Sequence, residues 1–269
     1  MRKPKGFTLI ELLMVISIVV LLMAILLPAL QRVRRQAKAV ACQSNLRQWG
    51  VIFSMYTNDN RGTLPTHVGI GPLVWPEELR TYSSDNNDLL LCPTASRCNI
   101  RPDNPYPISD SSTDIRAVGS KSTAWEYRFT VGQVVKVHFS GSYGVNKSLH
   151  SYYYSIDSLR PHSVRNNIPV LLDCVYTHAR PMERNNPPEY EGQIDRYEGM
   201  KYFCINRHDG GVNSLFLDWS VRKVGLKELW TLQWGPFSRA AVIAHSPWTK
   251  AGGVQPEDWP QWMRSFKDY

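Results

Sequence analysis

The sequence predicts an α+β protein in which a long N-terminal α-helix packs on an antiparallel β-sheet head with long loops. Three observations support this class. An apolar run of 24 residues, 7–30, continues into a helical pattern that ends near Gly62, a candidate C-cap. Short alternating or buried apolar runs follow it, as is typical of strands. Polar, Pro-rich stretches separate these runs, and 269 residues suffice to bury a sizeable core.

The apolar run, residues 7–30, has the length of a membrane span. As a helix it would extend about 36 Å, and the hydrocarbon core of a bilayer is about 30 Å thick. Lys and Arg flank it on both sides, so the positive-inside rule does not fix its orientation. Glu11 lies four residues inside the run, where a charge in hydrocarbon is costly.

The stretch KGFTLIELL, residues 5–13, resembles the prepilin signal of type IV pilins and type II secretion pseudopilins. In that family a membrane peptidase cuts after the glycine and methylates the new N-terminus. The resemblance implies cleavage between Gly6 and Phe7, with Glu11 as the acid at the fifth position after the cut. Pro28 falls where many pilins carry a helix-loosening proline. A plain signal anchor with one acid near its end is the alternative.

Cleavage would give Glu11 a role in assembly. The charged amine of Phe7 would lie in an apolar helix bundle once subunits pack, where an unpaired charge is expensive. A carboxylate from an adjoining subunit can neutralise that amine. We therefore expect Glu11 to select the register of assembly, because a slipped subunit would leave both charges unpaired.

The helical pattern changes face beyond Pro28. Val33, Ala37 and Val40 lie on one side of a helical wheel. The opposite side carries Cys42, Leu46, Trp49, Phe53 and Met55–Tyr56. We predict that the first stretch faces neighbouring subunits and the second packs under the chain's own head; a single continuous core face is the alternative.

The predicted organisation is a leader at 1–6, a transmembrane and assembly helix at 7–30, a helix continuing into the head at 31–62, and a head at 63–269.

Within the head, a short helix is predicted at 75–82 and strands at 89–92, 131–139, 168–176 and 201–205. A hairpin is predicted to turn near Asp218–Ser220. Residues 94–124 and 177–200 contain few large apolar side chains and several prolines, which indicates long loop insertions.

A second resemblance covers more of the chain. The stretches CQSNLRQWGVIFSMYTNDNRGTLP, LLCP, SYGVN, IPVLLD and RHDGGVNSLFLDWSV occur in this order. They resemble a large group of bacterial pilin-like proteins, described as type II secretion pseudopilin-like, with a C-terminal His-x-Gly-Gly…Asp-Gly region. Trp219 stands where glycine is usual. This departure argues against an Asp-Gly type I′ turn and favours a type I or longer turn.

The cysteines leave two disulfide pairings open. The chain has Cys42, Cys92, Cys98, Cys174 and Cys204. They form no paired CxxC frame, which argues against a structural zinc site. Outside the cytoplasm, Cys92 could pair with Cys98 across a small loop, or with Cys42 if the helix packs on that strand. The sequence does not choose between them.

Calcium is the one metal that the family resemblance brings in, because some pseudopilin heads bind it through loop oxygens. The residues His208-Asp209, Asp218 and Asp173 could gather into a metal site, and the candidate calcium ligands are Asp173, Asp209, Asn213 and Asp218. Asp and Asn at strand ends are also ordinary turn residues. If these residues only form turns, we expect the chain to bind no cofactor.

Other function classes find little support. SGSYG around Ser142 is not a G-x-S-x-G elbow, and no phosphate-binding glycine-rich loop is present, so we do not expect an enzyme. The net charge is +8, but much of the basic excess flanks the apolar run, where it suits lipid headgroups better than nucleic acid. Five tryptophans crowd the last forty residues. We expect them to fill the core rather than to stack on sugar rings.

These observations predict a structural subunit, a pilin or pseudopilin of a type IV pilus or type II secretion filament. It would be a single-pass protein of a bacterial inner membrane with its head in the periplasm. The implied partners are the lipid bilayer, a prepilin peptidase, other pilin or pseudopilin subunits and an inner-membrane assembly platform. The alternatives are a membrane-tethered binding module for a polysaccharide or secreted substrate, and a minor pilin of a DNA-uptake pilus.

Overall fold

A computed structural model describes residues 9–65, 74–97, 114–131, 134–149, 165–195, 197–235 and 246–269. The chain divides into two compact units, residues 1–38 and 39–269. The elements are helices α1 (Leu9–Asp59) and α2 (Trp75–Glu78) and strands β1 (Asp114–Ala117), β2 (Trp125–Val131), β3 (Val134–Gly141), β4 (Tyr143–Asn146), β5 (Pro169–Asp173), β6 (His178–Ala179), β7 (Gly211–Phe216) and β8 (Val221–Gly225). The predicted α+β class is confirmed.

Helix α1 contains 51 residues and continues through Pro28. It ends close to the predicted position, but the cap is shifted by one residue. Arg61 adopts the left-handed conformation, with φ 53°, and Gly62 follows with φ 73°. The Gly62 amide donates to the Thr57 carbonyl at 2.7 Å, which is the long-range bond of a Schellman motif.

The strands form two sheets. The first has three antiparallel strands in the order β1-β2-β3, and the second has five in the order β6-β4-β5-β7-β8. The larger sheet is mixed, because β4 and β6 are parallel whereas its other pairs are antiparallel. The antiparallel head predicted from the sequence is therefore correct except at the β4–β6 pair.

Several local predictions need correction. The predicted strand at 89–92 is a 3₁₀ helix, Asn87–Leu90, because the Asn86 side chain caps the Asp88 amide and starts a turn. A second 3₁₀ helix, Gly199–Tyr202, occupies the start of the predicted strand at 201–205. The predicted strand at 131–139 corresponds to the end of β2 and most of β3. Strand β1 lies within the predicted loop at 94–124.

The five-stranded sheet is buried on both faces. The second half of α1 packs with Leu171 and Leu215 in one core. Neighbouring Leu172 and Phe216 belong to a second core with the C-terminal part of the chain. Because side chains alternate along a strand, β5 and β7 each supply both cores.

The second stretch of α1 packs under the head as predicted, whereas contact of the first stretch with neighbouring subunits stays a prediction. Leu46, Trp49 and Phe53 are at most 1% exposed, whereas Val33 and Val40 are about three-fifths exposed. Met55 departs from the prediction, since it is exposed rather than buried. The stretch of α1 after residue 41 therefore belongs to the core of the head.

The β7–β8 hairpin has the predicted longer turn. The Trp219 amide donates to the Phe216 carbonyl at 2.9 Å, and Trp219 itself has φ 65°. A type I turn followed by a left-handed residue is the usual three-residue hairpin with a bulge, where glycine is preferred. The Trp219 ring stacks on Phe53 of α1, with centroids 6.4 Å apart. This contact offsets part of the conformational cost of a tryptophan at that position.

Candidate functional site

The first candidate site is the apolar beginning of α1. Its large apolar side chains from Leu9 to Leu30 are 41–79% exposed. Glu11 lies in the first turn of the described helix, and Gly6 and Phe7 lie outside the described residues. Among the residues that the structure describes, α1 is long and apolar enough to cross a membrane. In water such a surface would be strongly unfavourable, so it requires lipid or the helices of other subunits.

The second candidate site is a buried polar cluster inside the head. Cys42 reaches it from α1, Cys92 from the segment after the 3₁₀ helix Asn87–Leu90, Asp173 from the end of β5 and His208 from the segment before β7. The first three residues have no exposed surface and His208 is 5% exposed. Their four candidate ligand atoms lie within 4.8 Å of one another. We call these four residues the buried cluster.

Direct contacts link the buried cluster. His208 Nε2 lies 3.4 Å from Cys92 Sγ and 3.1 Å from Asp173 Oδ2. Cys42 Sγ lies 3.8 Å from both carboxylate oxygens of Asp173. The Tyr143 hydroxyl donates to Cys42 Sγ at 3.2 Å. The backbone N–H of Asn213 on β7 donates to Asp173 Oδ2 at 2.8 Å. Because β7 is paired with β5, which ends at Asp173, the sheet itself holds the carboxylate in place.

Arg207 balances the charge of Asp173. Its guanidinium is fully buried and donates from Nη1 to Asp173 Oδ1 at 3.1 Å. It also donates to the carbonyls of Ser142 at 2.6 Å and Ser120 at 2.7 Å. A buried ion pair is tolerated only when its remaining hydrogen-bonding groups are satisfied, and these carbonyls provide that.

The cluster shifts the pKa values of its own members. Burial opposes ionisation of Cys92, but hydrogen bonds from Cys42 and His208 outweigh it and lower the pKa of Cys92 to about 6. Burial alone would lower the pKa of His208, but the hydrogen bonds to Asp173 and Cys92 raise this pKa to about 9. The pKa of the Cys42 thiol shifts in the opposite direction to that of Cys92, because burial and the neighbouring anions raise it. These shifts favour the thiolate form of Cys92 and the protonated form of His208.

The geometry does not suit nucleophilic catalysis. In a catalytic triad the histidine uses one ring nitrogen for the nucleophile and the other for the acid that orients it. Here the same atom, His208 Nε2, contacts both Cys92 and Asp173. Both thiols are also fully buried. Two thiols, an imidazole and a carboxylate in such positions suit a metal ion or, for the two thiols alone, a disulfide.

The calcium ligands predicted from the sequence do not come together as one set. Asp173 and Asn213 are neighbours, but the Asn213 side chain bonds Gln43 and the Ala39 carbonyl of α1. Asp218 is exposed in the β7–β8 turn, where it accepts bonds from Ser220. Asp209 is exposed in a tight turn with φ 46°. The structure thus assigns Asp173 to a different set of neighbours from those expected, and calcium binding stays a prediction.

The disulfide alternatives also stay predictions. The structure places the Cys42 and Cys92 sulfurs within 4.8 Å, as free thiols. Cys98 lies outside the described residues. Sequence reasoning paired Cys42 with Cys92 as one option and grouped His208 with Asp173 as another, but it did not bring the two cysteines together with that pair. The local signal for His208 is its place in the RHDGG stretch, where it follows Arg207 just before a predicted strand.

The tryptophan prediction is confirmed for three of the five C-terminal residues. Trp230, Trp234 and Trp259 are at most 2% exposed, and Trp248 and Trp262 pack partly buried against the same core. The rings of Trp230 and Trp259 meet edge to face at 5.3 Å. Because these rings fill the second core, they are not a free platform for a sugar.

Comparison with known proteins identifies the N-terminal segment. A family model described as the prokaryotic N-terminal methylation motif matches residues 1–27. No curated protein and no solved structure gives a significant match to the chain. The motif and the long apolar helix together define a prepilin-type signal on a membrane-anchored single-pass protein. A signal of this kind is carried by type IV pilins and pseudopilins, which the N-terminal segment of this chain resembles. The motif implies processing by a prepilin peptidase and assembly with other pilin subunits.

Proposed function

We propose that this chain is a structural subunit of a type IV pilus or a type II secretion filament. It is stored in the bacterial inner membrane with its head in the periplasm. After removal of residues 1–6, an assembly platform in that membrane moves it into a filament held together by the α1 helices. The observation that carries this proposal is the methylation motif joined to an α1 surface whose large apolar side chains are exposed along its whole first half.

Both lipid and a helix bundle suit that surface, which explains how one helix serves storage and assembly. Moving an exposed apolar helix from lipid into a protein bundle exchanges one apolar environment for another. The hydrophobic effect therefore does not select the register of packing. A charged pair does, because an isolated charge costs up to about 2.5–3.5 kcal/mol at mid-bilayer and less towards the interface, where Glu11 lies. That cost corresponds to up to roughly 100-fold discrimination between paired and unpaired registers.

Replacement of Glu11 tests the proposal. Glu11→Ala should insert into the membrane and be processed normally, but its recovery in sheared filaments should fall by up to roughly 100-fold. Ser17→Ala is the matched control, because Ser17 is an exposed polar residue of the same helix whose hydroxyl bonds only the Leu13 carbonyl. The control should assemble like the unmodified chain. Normal filament incorporation of Glu11→Ala would refute the charge-pairing mechanism.

Processing is tested separately by mass spectrometry of the mature N-terminus. We expect an N-methylated Phe7 as the first residue. An intact Met1 in the membrane fraction would contradict the proposal and favour a plain signal anchor. Protease treatment of spheroplasts tests the orientation, since a periplasmic head should be digested and a cytoplasmic one protected.

A further inference from the structure

We propose that Cys42, Cys92, Asp173 and His208 bind one Zn²⁺ ion inside the head. This site lies beyond the proposed role in filaments and does not depend on it. Local sequence spacing does not reveal it, because the four ligands are 50, 81 and 35 residues apart along the chain.

The chemistry of the ligands favours zinc. Two thiolates and an imidazole suit a borderline-soft ion such as Zn²⁺, whereas Ca²⁺ takes six to eight oxygen ligands. Asp173 supplies one oxygen, and a carboxylate is an accepted fourth ligand for zinc. Four protein ligands without an open position are typical of a structural zinc site rather than a catalytic one. Full burial of Cys42, Cys92 and Asp173 agrees with a structural site.

The spacing of the ligand atoms fits a tetrahedron. With zinc bonds of about 2.0–2.3 Å, the ligand atoms of a tetrahedral site lie about 3.3–3.8 Å from one another. The observed separations are 3.1 Å from His208 Nε2 to Asp173 Oδ2, 3.4 Å from His208 Nε2 to Cys92 Sγ and 3.8 Å from Cys42 Sγ to Asp173. These three separations need shifts of a few tenths of an ångström, and the other three, which are at most 4.8 Å, need shifts of up to about 1 Å to hold the ion.

The charges of the site also balance. Two cysteine thiolates cancel the two positive charges of the ion, and the Arg207 guanidinium cancels the Asp173 carboxylate. A neutral imidazole adds no charge. The site therefore buries no net charge when zinc is bound, which removes the main obstacle to burying a metal.

The groups around the ligands already hold them in place. Asp173 receives hydrogen bonds from Arg207 and from the Asn213 amide, yet a carboxylate has about four lone-pair positions and keeps some for a metal. Tyr143 donates to the Cys42 sulfur at 3.2 Å. Such outer contacts orient metal ligands and tune their affinity. Bound zinc would tie α1 at Cys42 to three separate segments of the head.

The test uses the full chain in detergent, reduced and freed of metal with a chelator, and then dialysed against zinc chloride. Mass-spectrometric metal analysis should find one zinc per chain, and excess calcium chloride should not displace it. Titration with cobalt chloride should give thiolate-to-cobalt charge-transfer bands and the intense visible bands of tetrahedral Co²⁺. Neither readout depends on filament assembly, so failure here is distinguishable from failure of the proposed function.

Single variants locate the site. Cys92→Ser and His208→Ala should each weaken zinc binding at least about 100-fold, since loss of a direct ligand exceeds the effect of an outer contact. Cys204→Ser is the matched control, because Cys204 is equally buried but belongs to the second core. It should keep one zinc per chain and the cobalt spectrum of the unmodified protein.

Two results would overturn the proposal as a whole, and a third would contradict the assigned ligands. One is a reduced, unmodified chain that takes up no zinc or cobalt, a measurement that needs no variant and so is unaffected by misfolding. The other is a Cys42–Cys92 disulfide in the protein as isolated from the membrane, detected by peptide mapping without reduction. Loss of zinc binding in Cys204→Ser to the same extent as in Cys92→Ser would also contradict the assigned ligands.

Discussion

The buried ion pair of Arg207 and Asp173 offers a sharp test of how the head is stabilised. Both side chains are fully buried, and the guanidinium also satisfies the Ser120 and Ser142 carbonyls. Arg207→Gln would remove the guanidinium from the Asp173 carboxylate, leaving His208 at 3.1 Å as its remaining cationic neighbour, and would remove some of these bonds. Breaking one partner of a buried pair costs about 3–5 kcal/mol, because the remaining charge stays desolvated.

The same substitution at the surface is the control. Arg97 pairs with Asp88 at 2.9 Å, but the two side chains are 66% and 83% exposed. Solvent screens such a pair, so Arg97→Gln should cost less than about 1 kcal/mol. The two variants make an identical chemical change and differ in burial. For a unit the size of the head, the buried change should lower the melting temperature by roughly 6–20 °C and the exposed change by at most a few degrees.

Tryptophan fluorescence is the appropriate assay, because Trp49, Trp75 and Trp125 are at most 1% exposed and their emission should shift to the red on unfolding. The measurement is made with EDTA present, so that the ion pair is separated from any bound metal. The double variant Arg207→Gln, Asp173→Asn should be less destabilised than the sum of the single variants, since no charge is left unpaired. If Arg207→Gln melts within a few degrees of Arg97→Gln, the account of the buried pair is wrong.

Three further changes test the packing of the head, each by urea unfolding followed by tryptophan emission. Gly144→Ala should destabilise by about 1–3 kcal/mol, because its Cβ would lie 2.5 Å from the Tyr176 carbonyl oxygen; unchanged stability would show that the strand can move. Asp268→Asn should lower the free energy of unfolding by about 1–3 kcal/mol, because Lys227 is 1% exposed and its ammonium lies 2.6 Å from Asp268. Lys227→Met should lower it by less, and the reverse order of the two variants would contradict this argument. Trp219→Gly should be more stable than Trp219→Ala by about 1 kcal/mol. Both variants lose the ring, but the positive φ at this position is unfavourable for alanine and not for glycine. Equal stabilities would show that the backbone at this position is not strained.

Local sequence patterns predict more of the fold than of the buried cluster. The β7–β8 hairpin and its longer turn follow from neighbouring residues, since Asp218 and Trp219 set the turn whatever packs on them. The strands predicted at 89–92 and 201–205 are wrong, because a short apolar run does not distinguish a buried strand from a 3₁₀ turn. Capping by Asn86 decided the first case, and that interaction depends on one side chain rather than on a periodic pattern.

The sequence by itself determined the processing signal and the apolar helix. Both depend on residues that follow one another along the chain, and a bilayer responds to the length and composition of a single segment. Only the tertiary structure decided that Cys42 and Cys92 lie with Asp173 and His208, because packing of α1 on the five-stranded sheet brings distant segments together. No local spacing encodes that contact. It arises from the burial of one helical face against one face of a sheet.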